Sequence, residues 1–244
     1  AILPSDTLRR GVFDRQFVLY MPRDGVSGDF PWFHKLDAWR LMAAVDCTGH
    51  GVPGAFMSLL GHNALQHIGK VYTQPGKILD RLNEMARDVL HRGEGSSLEA
   101  KDQVPDGMDL GLVSINLEER KMEFAGANSP AYLVRNGEVT ELKPDKRAIA
   151  SFEPGKFRFN TQVVALEDGD MVYCASDGYP DQFGGPRGRK FMRKRFRGLL
   201  AELSSLPVDR QEVELRKRIE TWRNDAEEEQ VDDILVCGVR IRLG

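Results

Sequence analysis

At 244 residues with a formal net charge of −3, the chain can bury a substantial core as one domain, 1–244, and has no global basic field of the kind general nucleic-acid binding needs. No apolar run approaches membrane-spanning length and no signal-peptide pattern opens the sequence, so a cytoplasmic location is expected for this segment. The three widely spaced cysteines, Cys47, Cys174 and Cys237, fit neither a disulfide framework nor a Cys-x-x-Cys zinc site, and read as small buried hydrophobes.

The opening Ala1-Ile2-Leu3-Pro4-Ser5 lacks an initiator Met, which suggests a domain cut from a longer protein, with residues 1–12 leading in from an upstream regulatory region. Gln16–Met21 is rich in β-branched and aromatic residues and reads as a first strand. Asp29 follows in a Gly-flanked turn, then a short loop with Trp32 and His34, then a second strand, Trp39–Val45, that delivers Asp46. The tight turn Thr48-Gly49-His50-Gly51 precedes a helix from Pro53 to about Ile68, where proline is tolerated in the first turn. His62 and His67 lie five apart, outside the His-Glu-x-x-His spacing of a zinc protease, and read as ordinary helix residues.

Ile78, Leu79, Leu82, Met85, Ala86, Val89 and Leu90 form an i, i+3, i+4, i+7 stripe that predicts a second helix ending before Gly93. Gly93 to Gly107 is polar and rich in Gly and Ser, and is expected to be a mobile surface loop. Met108–Asn116, Lys121–Ala125, Ala131–Arg135, Val139–Leu142, Thr161–Leu166 and Met171–Ala175 are short apolar or alternating runs between turn signals, which implies one antiparallel meander. The basic run Arg187, Arg189, Lys190, Arg193, Lys194, Arg195 and Arg197 reads first as a solvated helix face, with a docking surface for an acidic or phosphorylated partner as the alternative. Leu199–Leu203 and Val213–Trp222 look helical, and Asp232-Asp233 opens a final strand through Val239. The whole is an α+β domain with helices packed outside sheets.

Asp29, Asp46, Asp177 and the Asp232-Asp233 pair all border predicted strands, most with glycine beside them. A carboxylate at the end of a buried strand needs a base, a hydrogen-bonding nest or a metal, and several converging carboxylates repel unless cations neutralise them. All-oxygen ligation suits Mg²⁺ or Mn²⁺, and the lack of a convincing Cys/His set argues against zinc. Two such ions, roughly 3.5–4 Å apart, generate a hydroxide and clamp a phosphate for in-line attack. Each Asp-Gly is also an ordinary turn signal, the reading kept for Asp106-Gly107 and Asp168-Gly169.

The segments VSGDF (Val26–Phe30), DCTGHGVPGAFMS (Asp46–Ser58), AGANSPAYLVRNG (Ala125–Gly137), EDGDMVYCASDGYPDQFGG (Glu167–Gly185) and DDILV (Asp232–Val236) resemble, in order, the motifs of SpoIIE-type phosphatases, the bacterial branch of the metal-dependent type 2C (PPM) serine/threonine phosphatases. The resemblance implies a four-layer α-β-β-α sandwich and two Mn²⁺ or Mg²⁺ ions with a hydroxide bridging them. Asp46 would bridge both ions, joined by the Cys47 carbonyl. Asp177 would bind one ion and share the catalytic role with Asp46, and Asp29 would serve the second ion directly or through water. Asp232 is preferred to Asp233 as the ligand from the closing acid pair.

The same resemblance implies a phosphoserine substrate on a STAS-type anti-sigma-antagonist protein in a partner-switching pathway, and it admits a homodimer. The motif wording is similar to members with a sensor and HAMP region upstream, anchored in the inner membrane. His50 becomes a loop-shaping residue rather than a general base. Ala148-Ile149-Ala150 stands where many members have Pro-Ile-Gly, Ala127-Asn128 replaces a common Gly-His pair, and Asp109 adds a carboxylate that is either a further metal contact or a satisfied polar residue. A non-catalytic binding module and a small-molecule phosphoester hydrolase are the rival readings.

Overall fold

The computed structural model describes residues 3–49, 51–90, 107–150 and 157–243. His50 and the Gly- and Ser-rich stretch from Gly93 through residue 106 lie outside them. A helix, α1 (Asp6–Val12), is capped by Ser5, whose Oγ accepts the Leu8 N–H at 3.2 Å. The strands are β1 (Gln16–Met21), β2 (Phe30–Leu36) and β3 (Trp39–Cys47), followed after two helices by β4 (Met108–Asn116), β5 (Lys121–Ala127), β6 (Ala131–Arg135) and β7 (Glu138–Leu142). Then come β8 (Gln162–Ala165), β9 (Met171–Ala175), a short hairpin of β10 (Phe183–Gly184) and β11 (Arg189–Lys190), and β12 (Ile234–Arg240). The remaining helices are α2 (Gly51–Ile68), α3 (Pro75–Leu90), α4 (Gly178–Asp181), α5 (Arg193–Leu203) and α6 (Val208–Asn224).

Two five-stranded sheets carry the fold, ordered β1-β12-β9-β6-β7 and β2-β3-β4-β5-β8, with every neighbouring pair antiparallel. Their central strands are apolar on both faces because each sheet is covered twice. Along β3, Leu41, Ala43 and Val45 pack toward α2 and α3 with Leu65, Ile78, Leu79 and Leu82, while Met42 and Ala44 enter the layer between the sheets. Along β12, Leu235, Cys237 and Val239 fill that inter-sheet layer, and Ile234 and Val236 face α5 and α6 with Phe196, Leu200, Leu215 and Ile219. The period-2 alternation of a strand thus serves two cores at once, and the layers run α-β-β-α.

The expected meander is divided between the sheets. β4 and β5 pair with β8 in one sheet, whereas β6 and β7 pair with β9 in the other. The chain changes sheets between β5 and β6, where Asn128 has φ of 55° and Pro130 ends the ladder. β2 is a strand where a loop was expected. It carries Pro31 on the outer edge of its sheet, where a missing N–H costs no ladder bond. The basic run is shared between the β10–β11 hairpin and the first turns of α5 rather than lying on one helix face.

Candidate metal centre

Antiparallel pairing brings strand ends together. Asp46 lies at the C-terminal end of β3 and Asp109 near the start of β4, directly opposite in register. By alternation both share the side of Met42, Ala44 and Val113, the side facing the inter-sheet layer. Phe30 pairs with Val45, so Asp29, just before β2, arrives at the same end. In the facing sheet Ala175 pairs with Val236, which sets Ser176 and Asp177 beside Asp232 and Asp233. Acids from both sheets therefore rim one open end of the sandwich.

The rim is electrostatically crowded. Burial pushes the Asp29 carboxyl well above the ordinary carboxylate range, with Asp46 adding repulsion and a Ser176 hydrogen bond pulling the other way. Asp46 is likewise pushed well up by burial, then by Asp177, Asp232 and Asp109, against a backbone hydrogen bond from Asp177. Asp177 is raised by burial, Asp232, Asp181 and Asp109, opposed by a hydrogen bond with the Asp46 side chain. Asp109 is raised by burial and partly relieved by Asn128, whose Nδ2 donates to its Oδ1 at 2.9 Å, and by the charge of Arg193.

Close backbone contacts hold this rim. Asp233 is buried, and its Oδ1 accepts the Arg23 N–H and its Oδ2 the Gly28 N–H, each at 2.8 Å. That clamp fixes the turn that carries Asp29, whose own N–H is taken by Ser27 Oγ at 3.0 Å. A Cβ on Gly28 would lie 2.9 Å from the Cys47 carbonyl oxygen and 2.8 Å from that of Gly49, so only glycine lets the Asp29 turn meet the loop after β3. Thr48 closes the other flank by donating from N and Oγ to the Gly107 carbonyl at 2.9 and 2.7 Å. Ser176 Oγ accepts the Leu235 N–H at 3.0 Å and ties β9 to β12.

The residues suit a hard divalent cation. Asp29 Oδ2 is buried without a hydrogen-bond partner, an arrangement that is costly for a carboxylate unless a cation completes it. The surrounding donors are carboxylates and the Cys47 carbonyl, an all-oxygen set, while the Cys47 thiol is buried and pushed well above its ordinary range. As the side chains stand, no group of three or more His, Cys, Asp or Glu among the described residues has closed to hold an ion. Asp233, set beside Asp232 as a ligand on sequence grounds, has both oxygens engaged with backbone N–H groups. Ser27 and Ser176, which support the rim, carried no signal as isolated polar residues, and Asn128 stood out only as a departure from the Gly-His pair of the resembled family; Ser176-Asp177-Gly178 as a unit was the nearest clue.

Comparison with known proteins places this arrangement. The family model described as Stage II sporulation protein E (SpoIIE) matches residues 38–242. The chain is similar to the SiaA-PP2C domain of Pseudomonas aeruginosa at 31% identity and a TM-score of 0.86, over 98% of this chain and 91% of that one. It also shares its fold with the PP2C phosphatase domain of the cell fate determinant SpoIIE from Bacillus subtilis, at 18% identity and a TM-score of 0.73, over 94% of this chain and 63% of that one. A third fold relative is RsbX in complex with magnesium, at 15% identity and a TM-score of 0.63, over 93% and 94% of the two chains. No curated protein sequence matches the chain. Fold and acid rim together are those of a PP2C-type serine/threonine phosphatase domain, a phosphoprotein phosphatase by class. Within that class the chain belongs to the SpoIIE family.

Proposed function

We propose that this rim is a two-metal centre that hydrolyses phosphoserine on a STAS-type anti-sigma-antagonist protein. The observation that carries the metal reading is the convergence of acids from both sheets around a buried Asp29 oxygen that no donor satisfies. Asp46, the Cys47 carbonyl, Asp177, Asp232 and Asp29 would hold two Mn²⁺ or Mg²⁺ ions. When bound, such a pair supplies a nucleophilic water at neutral pH and neutralises charge on the phosphoryl oxygens.

The chain's own contribution is position. Asp46 and Asp177 come close enough across the rim for each to act on the other's carboxyl, and Asp233 holds Asp29 at its place through the Arg23 and Gly28 amides. The choice of a STAS-type substrate, and of an upstream sensor and HAMP region anchoring the longer protein in a membrane, is supported by the motif wording across the chain.

Asp46→Asn and Asp177→Asn are each expected to lower Mn²⁺-dependent phosphate release by at least about 10³-fold while leaving the circular dichroism spectrum unchanged. Full activity in either variant, or of the native chain in excess chelator, refutes the mechanism. Mass spectrometry of candidate phospho-STAS proteins, run beside a small phosphoester, separates protein phosphatase from small-molecule hydrolase, and turnover of neither leaves a binding module.

A further inference from the structure

We propose that the surface made by the β10–β11 hairpin and the start of α5 receives an acidic stretch flanking the phosphoserine of the protein substrate. The inference rests on the phosphatase reading above and adds to it the chemistry of the partner's docking face.

Residues 187–197 contain seven cations and no acid, in a chain whose net charge is −3. Three of the seven have work inside the fold. Lys190 Nζ pairs with Asp181 at 2.8 Å, Arg197 with Glu141 at 2.8 Å, and Arg195 lies 4.8 Å over the Trp222 ring while donating to the Phe191 carbonyl. Arg187, Arg189, Arg193 and Lys194 are exposed, and their side chains make no hydrogen bond or ion pair among the described residues. Arg187, Arg189 and Lys194 thus have no structural task, and with Arg193 beside the rim they make a recognition surface of one sign.

This surface is fixed against the catalytic rim. The Met192 N–H donates to the Pro180 carbonyl at 2.7 Å and the Phe191 N–H to the Gln182 carbonyl at 2.9 Å, which fastens the segment to α4, the helix that follows Asp177. Tyr179 of α4 packs its ring against Phe191 at 5.2 Å and Phe196 at 4.9 Å. At the other side Arg193 is near enough for its charge to act on Asp109, which faces Asp46 across the β3–β4 ladder. An occupant of this face thus has its neighbouring residues at the rim.

The charge logic favours an acidic protein segment. The acid rim repels an incoming anionic phosphoprotein until metals bind, and a fixed patch of cations beside it supplies long-range attraction and orientation. Because the charges are exposed, the effect belongs to encounter and KM and must fade with salt.

Two synthetic phosphoserine peptides, one flanked by Asp and Glu and one by Ala and Gln, test this with Mn²⁺ present. The native chain is expected to favour the acidic peptide by about tenfold in kcat/KM at low ionic strength, a preference lost near 0.5 M salt. R187E/R189E/K194E should abolish the preference, mainly through KM, and R187K/R189K should retain it. The same charge change at exposed Lys35, Lys70 and Lys77, written K35E/K70E/K77E, should leave the preference in place, and melting curves report whether each variant is folded. Equal turnover of both peptides by the native chain, or a preference that survives R187E/R189E/K194E, overturns the proposal. So does loss of binding to phosphatidylserine vesicles in that variant with its peptide preference intact, which would assign the surface to a membrane. Turnover of neither peptide by the native chain refutes the phosphatase reading and this inference with it.

Discussion

Asp232 and Asp233 are neighbours of one residue type with opposite physical situations. Asp233 is buried and its two oxygens hold the Arg23 and Gly28 amides, whereas Asp232 is exposed and adds its charge to the field at Asp46 and Asp177. Asp233→Ala leaves two backbone donors without partners, one of them buried, and is expected to cost about 2–3 kcal/mol in a denaturant melt. It should also weaken Mn²⁺ activation by freeing the turn before Asp29. Asp232→Asn should leave the melt nearly unchanged and raise the Mn²⁺ concentration for half-maximal activity by about tenfold or more. The reverse pattern would make Asp233 the ligand. Residue type and strand-end position were enough to pick out the acid set, but they could not separate two adjacent aspartates. That distinction lives in which amides point at which oxygens, a property of contacts more than 200 positions apart in sequence.

Among the elements, the four-residue α4 shows how little space the site leaves. A Cβ on Gly178 would sit 1.9 Å from the Asp233 carbonyl oxygen, so α4 and the lead into β12 touch backbone to backbone. Gly178→Ala must push α4 outward, carrying Asp177 away from Asp232. A shift near 1 Å in such a site is worth about 10²-fold, so kcat/KM for Mn²⁺-dependent phosphate release should fall by that factor or more with circular dichroism preserved. Native-level turnover would show that the contact relaxes without moving Asp177. The elements legible in advance were those with one dominant signal: α3 by its apolar stripe, β3 by an apolar run ending in an acid, and β12 by an apolar run that two acids open. β2 was hidden by Pro31, which is harmless only because the strand is an edge, and edge position is a fact of topology. The division of the meander was hidden for a related reason. Alternation reports that a strand is covered on two faces, and here every sheet has two covers, so the pattern reads the same in either sheet.

Taken whole, the molecule is a sandwich whose closed layers are apolar and whose open end collects negative charge from both sheets. The two sheets therefore repel at that end in the absence of cations and are drawn together by them. Asp29 reports this balance. Its folded-state carboxyl is raised by burial and by Asp46, so between the unfolded value near 4 and that raised value the folded chain binds more protons than the unfolded one. Stability then falls as pH rises through that window, and the full cost is present only above the raised folded-state value. Asp29→Asn removes the charge. In chelator its melting temperature should exceed that of the native chain at pH 7.5, by about 4 °C or more, and the gap should shrink as the pH is lowered, because protonation of the native carboxyl rises as pH falls. Mn²⁺ acts in the opposite sense, because a ligand that binds only the folded state at a hundredfold over its Kd adds about 2.7 kcal/mol. The native chain should gain that stabilisation at pH 7.5 and lose most of it at pH 5, where protons compete for the oxygens, while Asp29→Asn gains little at either pH. Scanning calorimetry at the two pH values, with and without Mn²⁺, checks all four conditions. A variant less stable than the native chain in chelator at pH 7.5 would mean that Asp29 is satisfied where it stands and that the rim was not built to be completed by a cation.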